Sequence, residues 1–230
     1  MYVGRVMHTD LVTVSPNTPL SKAKDIIAEK RIDHLLVVDK NGQLTGIVSD
    51  RDLKQSWASP ATTLSVHELN YLLSKLTVDM IMVKKIISIS PDTTIERAAR
   101  IMQENRIGSL PVLDQKKLVG IITTTNVMEV LLEAIGIDEN SSRFSVMVED
   151  RIGSVAEVTR ILKEAQINIR SLITWPEKNH PGVYQLVMRV AGPDADEAVS
   201  MLTEAGFKVL TQYVQDITPY LPGGQSGLKK

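Results

Sequence analysis

Residues 6–20 read VMHTDLVTVSPNTPL, and residues 81–95 read IMVKKIISISPDTTI. The two stretches align at an offset of 75 residues, Pro16 on Pro91. The register continues through Ala23 and Ala98, Arg31 and Arg106, Leu35 and Leu110, and Val37 and Val112. Past the next turn the offset falls to 74, so Gly46-Ile47-Val48-Ser49 is answered by Gly120-Ile121-Ile122-Thr123. So many matches in one register mark residues 1–56 and 77–135 as two copies of one unit.

Each copy reads as a short strand, a helix, two strands and a closing helix. Thr93 followed by Glu96 forms a capping box, and in the first copy Thr18 stands ahead of Pro19 at the first helical position. Leu20, Ala23 and Ile27, like Ile95, Ala98 and Met102, follow the three-to-four spacing of one buried face. Residues 34–39 and 44–49 are short apolar runs around Asn41-Gly42, a hairpin turn signal. The second copy has Gln115-Lys116-Lys117 there, which predicts a looser turn. Units this short have little core of their own, so the copies are expected to pack as one domain. Between them, over 57–76, Ser65 and Glu68 open a linker helix with Leu69, Leu72, Leu73 and Leu76 along one side.

After Gly136 the pattern changes. Residues 138–142 have the polar character of a linker, and Phe144, Val146 and Val148 then alternate with polar or flexible neighbours as a half-buried strand does. Gly153-Ser154 opens a helix with Val155, Val158, Leu162 and Ala165 on one face. Residues 167–175 and 183–190 read as strands, 194–205 as a second helix ended by Gly206, and 207–214 as a last strand. The order βαββαβ over 143–215 is the ferredoxin-like arrangement. The fold class is α/β in the broad sense (α+β), and residues 216–230 are expected to fray.

Composition limits the functions available. The chain has 230 residues, 43% of them hydrophobic and 23% charged, which suffices for folded cores. Its 26 lysines and arginines against 27 acids give no broad field for a nucleic acid or an anionic membrane. With no cysteine there is no disulfide or thiolate metal site, which fits a cytoplasmic protein. No apolar run approaches the roughly 18 residues of a membrane span. His8, His34, His67 and His180 are scattered without metal-ligand spacing, and no motif of a catalytic centre stands out.

The segments Gly46-Ile47-Val48-Ser49-Asp50-Arg51-Asp52 and Gly120-Ile121-Ile122-Thr123-Thr124-Thr125-Asn126 carry the most chemistry. Each leaves a strand and enters a helix, where free amides and the helix dipole favour a phosphate. A hydroxyl sits at the junction, and the Asp52 carboxylate one turn later suits the paired hydroxyls of a ribose. The plain alternative is that Ser49 and Thr123 are N-caps and Asp52 a favourable first-turn acid.

On these segments, the Ser-Pro pairs at 15–16 and 90–91, and the strands that begin at Leu35 and Leu110, the repeat resembles a pair of cystathionine-beta-synthase (CBS) domains, a Bateman module. The resemblance implies an adenosine nucleotide (AMP, ADP or ATP, with S-adenosylmethionine as a further candidate) held between the copies. It places Asp52 and Asn126 on ribose, Ser49 and Thr123 near phosphate, and Val14 and Ile89 against adenine. Ser15, Ser90, Leu35, Leu110, Asp50, Arg51, Thr124 and Thr125 complete the implied site. The family often carries basic residues before its middle strand, where this chain has Asp33-His34 and Gly108-Ser109; Arg51, Lys84 or Lys85 would have to offset the acid. The third unit resembles an ACT domain in residues 150–157, beginning Asp150-Arg151-Ile152-Gly153-Ser154, and in Asn168. This implies an amino-acid-type effector at Asp150, Ile152, Gly153, Ser154 and Asn168, although the family usually has proline where Ile152 stands. Gly153 either admits a ligand carboxylate or simply makes the turn. The order CBS, CBS, ACT resembles the acetoin-utilisation AcuB-type proteins. It implies a regulatory homodimer or higher homo-oligomer acting on an enzyme partner. The rival readings are an enzyme with an unrecognised site and a structural dimerisation module.

Overall fold

In the computed structural model, residues 1–56 and 75–224 are described. The chain divides into two compact units, Met1–Val130 and Leu131–Lys230. The first copy contributes β1 (Thr13–Val14), α1 (Leu20–Lys30), β2 (His34–Val38), β3 (Leu44–Ser49) and α2 (Asp50–Ser56). β1 runs parallel to β2, and β2 antiparallel to β3. The second copy contributes α3 (Ile95–Asn105), β4 (Ser109–Asp114), β5 (Lys117–Thr123) and α4 (Thr124–Ala134). Its expected leading strand is reduced to a parallel bridge between Ile89 and Val112. The apolar stripes are the ones the spacing marked: α1 buries Leu20, Ala23 and Ile27, and α3 buries Ile95, Ala98 and Met102. Both helices stop at an arginine in the left-handed region, Arg31 at φ 53° and Arg106 at φ 54°.

The copies exchange their leading segments. The 3-10 turn Val3–Arg5 lies on the second copy, its Val3 and Gly4 amides donating to the carbonyls of Thr93 and Pro91 at 2.8 and 2.9 Å. The equivalent turn Val78–Met80 lies on the first copy, where the amides of Val78 and Asp79 donate to the carbonyls of Thr18 and Pro16 at 2.9 and 3.0 Å. Val3 is part of the second copy's core and Val78 of the first copy's. Neither core is complete without the other copy, which is how units this short obtain enough buried surface.

Three local expectations change. The cap of α3 is Thr94, not Thr93: its Oγ1 accepts from the Arg97 N–H at 3.3 Å. Pro19 itself is the N-cap of α1, so Thr18 lies one residue too early to cap. The first amides of both helices are met from afar: those of Leu20 and Ile95 donate to the carbonyls of Leu76 and Met1, both at 3.0 Å, in the exchanged segments. The third change is the turn at Gln115-Lys116. The β4–β5 ladder runs to Asp114 and Lys117, so this is a tight two-residue turn with φ 46° and 70°. The looser loop is the one at Asn41-Gly42, whose ladder closes at Val38 and Leu44. The linker helix expected from Ser65, Glu68, Leu69, Leu72 and Leu73 lies outside the described residues.

The second unit has β6 (Ser141–Glu149), α5 (Ser154–Glu164), β7 (Ile169–Pro176), β8 (Val183–Ala191), α6 (Ala195–Glu204) and β9 (Lys208–Leu210). The sheet order β7-β8-β6-β9 is that of a ferredoxin-like fold. β6 starts at Ser141, inside the expected linker, and β7 starts two residues after Ile167. Phe144, Val146 and Val148 face the helices, and Met147 points to the other side of the sheet. There residues 216–224 of the segment expected to fray fold back. Thr218–Tyr220 forms a 3-10 turn and Leu221, 9% exposed, packs with Met147 and Leu210. The apolar Ile217, Tyr220 and Leu221 explain the difference, since they find an open sheet face to cover.

Candidate functional site

Both strand-to-helix junctions are locked by their own side chains. Asp52 Oδ2 accepts from the Ser49 N–H at 2.8 Å and the Ser49 hydroxyl at 2.6 Å, while Ser49 Oγ accepts from the Asp52 N–H at 3.2 Å. In the second copy Asn126 Oδ1 accepts from the Thr123 N–H at 3.0 Å and the Thr123 hydroxyl at 2.8 Å, and Thr123 Oγ1 accepts from the Asn126 N–H at 3.3 Å. The capping role is thus present in both copies. None of these bonds uses Asp52 Oδ1. Asn126, 7% exposed, turns its amide Nδ2 to His8 Nε2 at 3.0 Å and to Glu129 Oε2 at 3.4 Å.

Each junction opens on a cleft completed by the other copy. The first cleft, a cavity of about 140 Å³, joins Ser49, Arg51 and Asp52 of the first copy to Val83, Lys85 and Ile87 and to Ile107, Gly108 and Ser109 of the second. The second cleft, about 470 Å³, joins Thr123, Thr125 and Asn126 of the second copy to His8, Asp10 and Val12 and to Ile32, Asp33 and His34 of the first. These linings correspond through the repeat register: residues 8, 10 and 12 lie 75 positions before 83, 85 and 87. The clefts differ in charge. Arg51 and Lys85 outnumber Asp52 in the first, whereas Asp10, Asp33 and Glu129 face Arg31 in the second.

His34 borders both clefts. Burial lowers its pKa from 6.5, against the opposing pull of Asp33 and Asp52 and with Arg51 adding to the lowering. Its Nδ1 is buried without a hydrogen-bond partner. The residues before the middle strands also anchor the helices: the Asp33 carbonyl accepts from the Asp50 N–H at 2.9 Å and the Gly108 carbonyl from the Thr124 N–H at 3.0 Å.

Among the residues marked in the sequence, Ser49, Arg51, Asp52, Gly108 and Ser109 gather in the first cleft, and Asp33, Thr123, Thr125 and Asn126 in the second, with His34 in both. Lys85 lines the first cleft and Lys84 does not. Val14, Ile89, Leu35 and Leu110 are buried in the two cores and line neither cleft. The apolar walls consist instead of Ile47, Ile86 and Pro111 beside Val83, Ile87 and Ile107 in the first cleft, and of Val12, Ile32, Leu36 and Ile121 in the second. Ser15 and Ser90 are turn residues, accepting from the N–H groups of Asn17 and Asp92 at 3.3 and 3.1 Å. Asp50 pairs with Lys54 at 2.5 Å, and Thr124 is exposed beyond the second lining. The wall residues from 8–12 and 83–87 escape a strand-by-strand reading because they arrive through the exchanged segments. Applying the repeat register to Lys85 would have paired it with Asp10.

In the second unit a cavity of about 610 Å³ lies between the β6–α5 loop and the C-terminal segment, bordered by Arg151, Ser154, Lys208, Thr218 and Leu221. Arg151 forks onto Glu157 with bonds of 2.9 and 2.7 Å, which holds the Glu157 carboxyl below its usual pKa. Ser154 donates to the Glu149 carbonyl at 2.7 Å. A second cavity, about 660 Å³, takes in Asp150. Gly153 has φ 96° and open space where a Cβ would stand, so the turn rather than close packing requires glycine. Ile152 is 101% exposed, and Asn168 is exposed and borders neither cavity. Of the five expected effector residues, only Ser154 and Asp150 border a cavity. Among the described residues there is no cluster of three metal-ligating side chains, and no helix is long and apolar enough to cross a membrane.

A duplicated unit with exchanged leading segments and two register-related clefts, followed by a ferredoxin-like unit, defines the class. The family model of the CBS domain matches residues 3–58 and 78–133, and that of the ACT domain residues 142–204. A CBS domain-containing protein of Dictyostelium discoideum is 31% identical over 134 residues, 58% of this chain and 92% of that protein. The chain belongs to the CBS-domain proteins, with its CBS pair followed by an ACT domain. The chloroplastic CBSX2 of Arabidopsis thaliana is 32% identical over 151 residues, 58% of this chain and 63% of that protein. Its crystal structure in complex with AMP aligns over 57% of this chain and 96% of that one, at 34% identity and a TM-score of 0.47. A homoserine O-acetyltransferase of Methanosalsum zhilinae is 33% identical over 130 residues, 56% of this chain, and the chain spans only 24% of that enzyme's length.

Proposed function

We propose that this chain is a non-catalytic regulatory protein that binds an adenosine nucleotide in the clefts between its CBS repeats. The observation that carries the reading is the duplication of the cleft. Twice, a hydroxyl and an acid or amide at a helix N-terminus face an apolar wall supplied by the other copy. A nucleoside needs both a polar grip on its ribose and an apolar wall for its base. The sequence relation to CBSX2, crystallised with AMP, makes AMP the first ligand to test. Ser49 and Asp52 would hold the ribose and the start of the phosphate in the first cleft, with Arg51 and Lys85 offsetting its charge. In the second, Thr123 and Asn126 take the same part, and the acids there favour a ligand with little or no phosphate charge.

The output is conformational. A ligand gripped by both copies favours one arrangement of them in proportion to its differential affinity. The ACT unit adds a second input, an amino-acid-type effector held beside Ser154 in the cavity of about 610 Å³. The protein acts as a cytoplasmic homo-oligomer on an enzyme partner, which the CBS-CBS-ACT order suggests belongs to acetoin or acetyl-CoA metabolism. Isothermal calorimetry and thermal shift with AMP, ADP, ATP and S-adenosylmethionine test the reading. Silence with all four would leave the rival that the self-satisfied capping boxes favour, a structural dimerisation module.

A further inference from the structure

Two clefts that share a wall cannot fill independently if the wall must move. The first cleft, at about 140 Å³, is smaller than the roughly 300 Å³ at which ligand pockets begin, and the second, at about 470 Å³, is already within that range. A nucleoside entering the first therefore meets a tighter lining than one entering the second. His34 is the one side chain that borders both cavities among those described, and its repeat equivalent, Ser109, borders only the first. The imidazole is held by packing rather than by polar bonds at its inner edge: its Nδ1 has no partner, and a Cβ on Gly108 would stand 3.3 Å from its Cε1. A ring displaced from the first cleft has the second cleft to move into.

The backbone adds a link in the same direction. His34 follows Asp33, whose carbonyl holds the first amide of α2, and abuts Gly108, whose carbonyl holds the first amide of α4. Those two helix starts carry Asp52 and Asn126. We infer that His34 is a shared gate between the two clefts, so that a nucleotide in one lowers the affinity of the other. This rests on the nucleotide reading above and adds the dependence between the sites. By linkage the effect is reciprocal, the same factor whichever cleft fills first, and couplings between sites commonly amount to about 5- to 150-fold.

Calorimetry on the full chain tests it, with AMP and, because the acids of the second cleft disfavour phosphate, with adenosine in parallel. Asp52→Ala leaves the second cleft to be titrated with its neighbour empty, and Asn126→Ala does the same for the first. Comparison with the two steps of the unsubstituted protein gives the coupling factor. The expected result is a second step at least about fivefold weaker than the matching single-cleft affinity. In His34→Ala, and in His34→Asn as a second variant, the two clefts should agree with their single-cleft affinities within about twofold, with thermal melts showing both variants folded. No heat from AMP, ADP, ATP or S-adenosylmethionine in any protein would overturn the nucleotide reading itself. Two equal, independent steps in the unsubstituted protein would overturn the coupling alone. Coupling that survives in both His34 variants would overturn the role of His34.

Discussion

Asp52 and Asn126 each serve two masters, a helix start and an open cleft, and substitutions there separate the two. Asp52→Ala removes the acceptor that holds Ser49 and should cost about 0.5–2 kcal/mol of stability as a lost cap, read by chemical denaturation. AMP binding at the first cleft should weaken by about 1.5–3 kcal/mol as well, and unchanged affinity would dismiss the ribose assignment. Asn126→Asp is nearly isosteric and keeps the acceptor for Thr123. It loses the donor that faces His8 and sets a second carboxylate near Glu129, so it should destabilise by about 1–3 kcal/mol. His34 gives a pH signature. Its folded pKa lies below 6.5, so as pH falls through 6.5 the unfolded chain takes up the proton first and stability is lost, levelling off below the folded pKa. Between about pH 7.5 and pH 5.5 the unsubstituted protein should lose more melting temperature than His34→Gln. Equal losses would mean that His34 is not desolvated. Residue types at the junctions were legible in the sequence because two copies presented them in register. The apolar walls of the clefts were not, because Val14 and Ile89 have the right chemistry and only tertiary packing decides that they turn inward.

At the scale of elements, the exchanged segments make the clearest test. Val3 belongs to the first copy by sequence, yet it is 0% exposed in the second copy's core. Val3→Ala should cost about 2 kcal/mol, and Val78→Ala a similar amount, each lowering a single melting transition of the CBS pair. A neutral Val3→Ala would show that the exchange does not form. The turn at Gln115-Lys116 bends through the left-handed region without a glycine, so Lys116→Gly should raise stability by up to about 1 kcal/mol in a thermal melt. The stripes of α1 and α3 were readable from apolar spacing, which is local. The caps were misplaced by one residue because Leu20 and Ile95 find carbonyls on a distant segment, and no local pattern announces a distant partner. Residues 216–224 differ from expectation for a related reason: Pro219 and Pro222 carry no local pattern of structure, while Ile217, Tyr220 and Leu221 find an uncovered sheet.

For the whole molecule, duplication and the change of pattern after Gly136 told the architecture, and the composition excluded a broad basic surface. Met128, Leu131 and Leu132 are exposed along successive turns of α4, an apolar row that favours self-association. Sedimentation should give at least a dimer, and a monomer near 25.4 kDa at micromolar concentration would contradict this. If the clefts between the repeats hold an adenosine nucleotide, calorimetric titration of the full chain with AMP, with GMP as control, will show it. Saturable heat is expected with AMP, weaker or none with GMP, and AMP affinity at the first cleft should fall by about 10-fold or more in Asp52→Ala. No heat with AMP, ADP, ATP or S-adenosylmethionine, or equal binding of AMP in the unsubstituted protein and in both Asp52→Ala and Asn126→Ala, would contradict it.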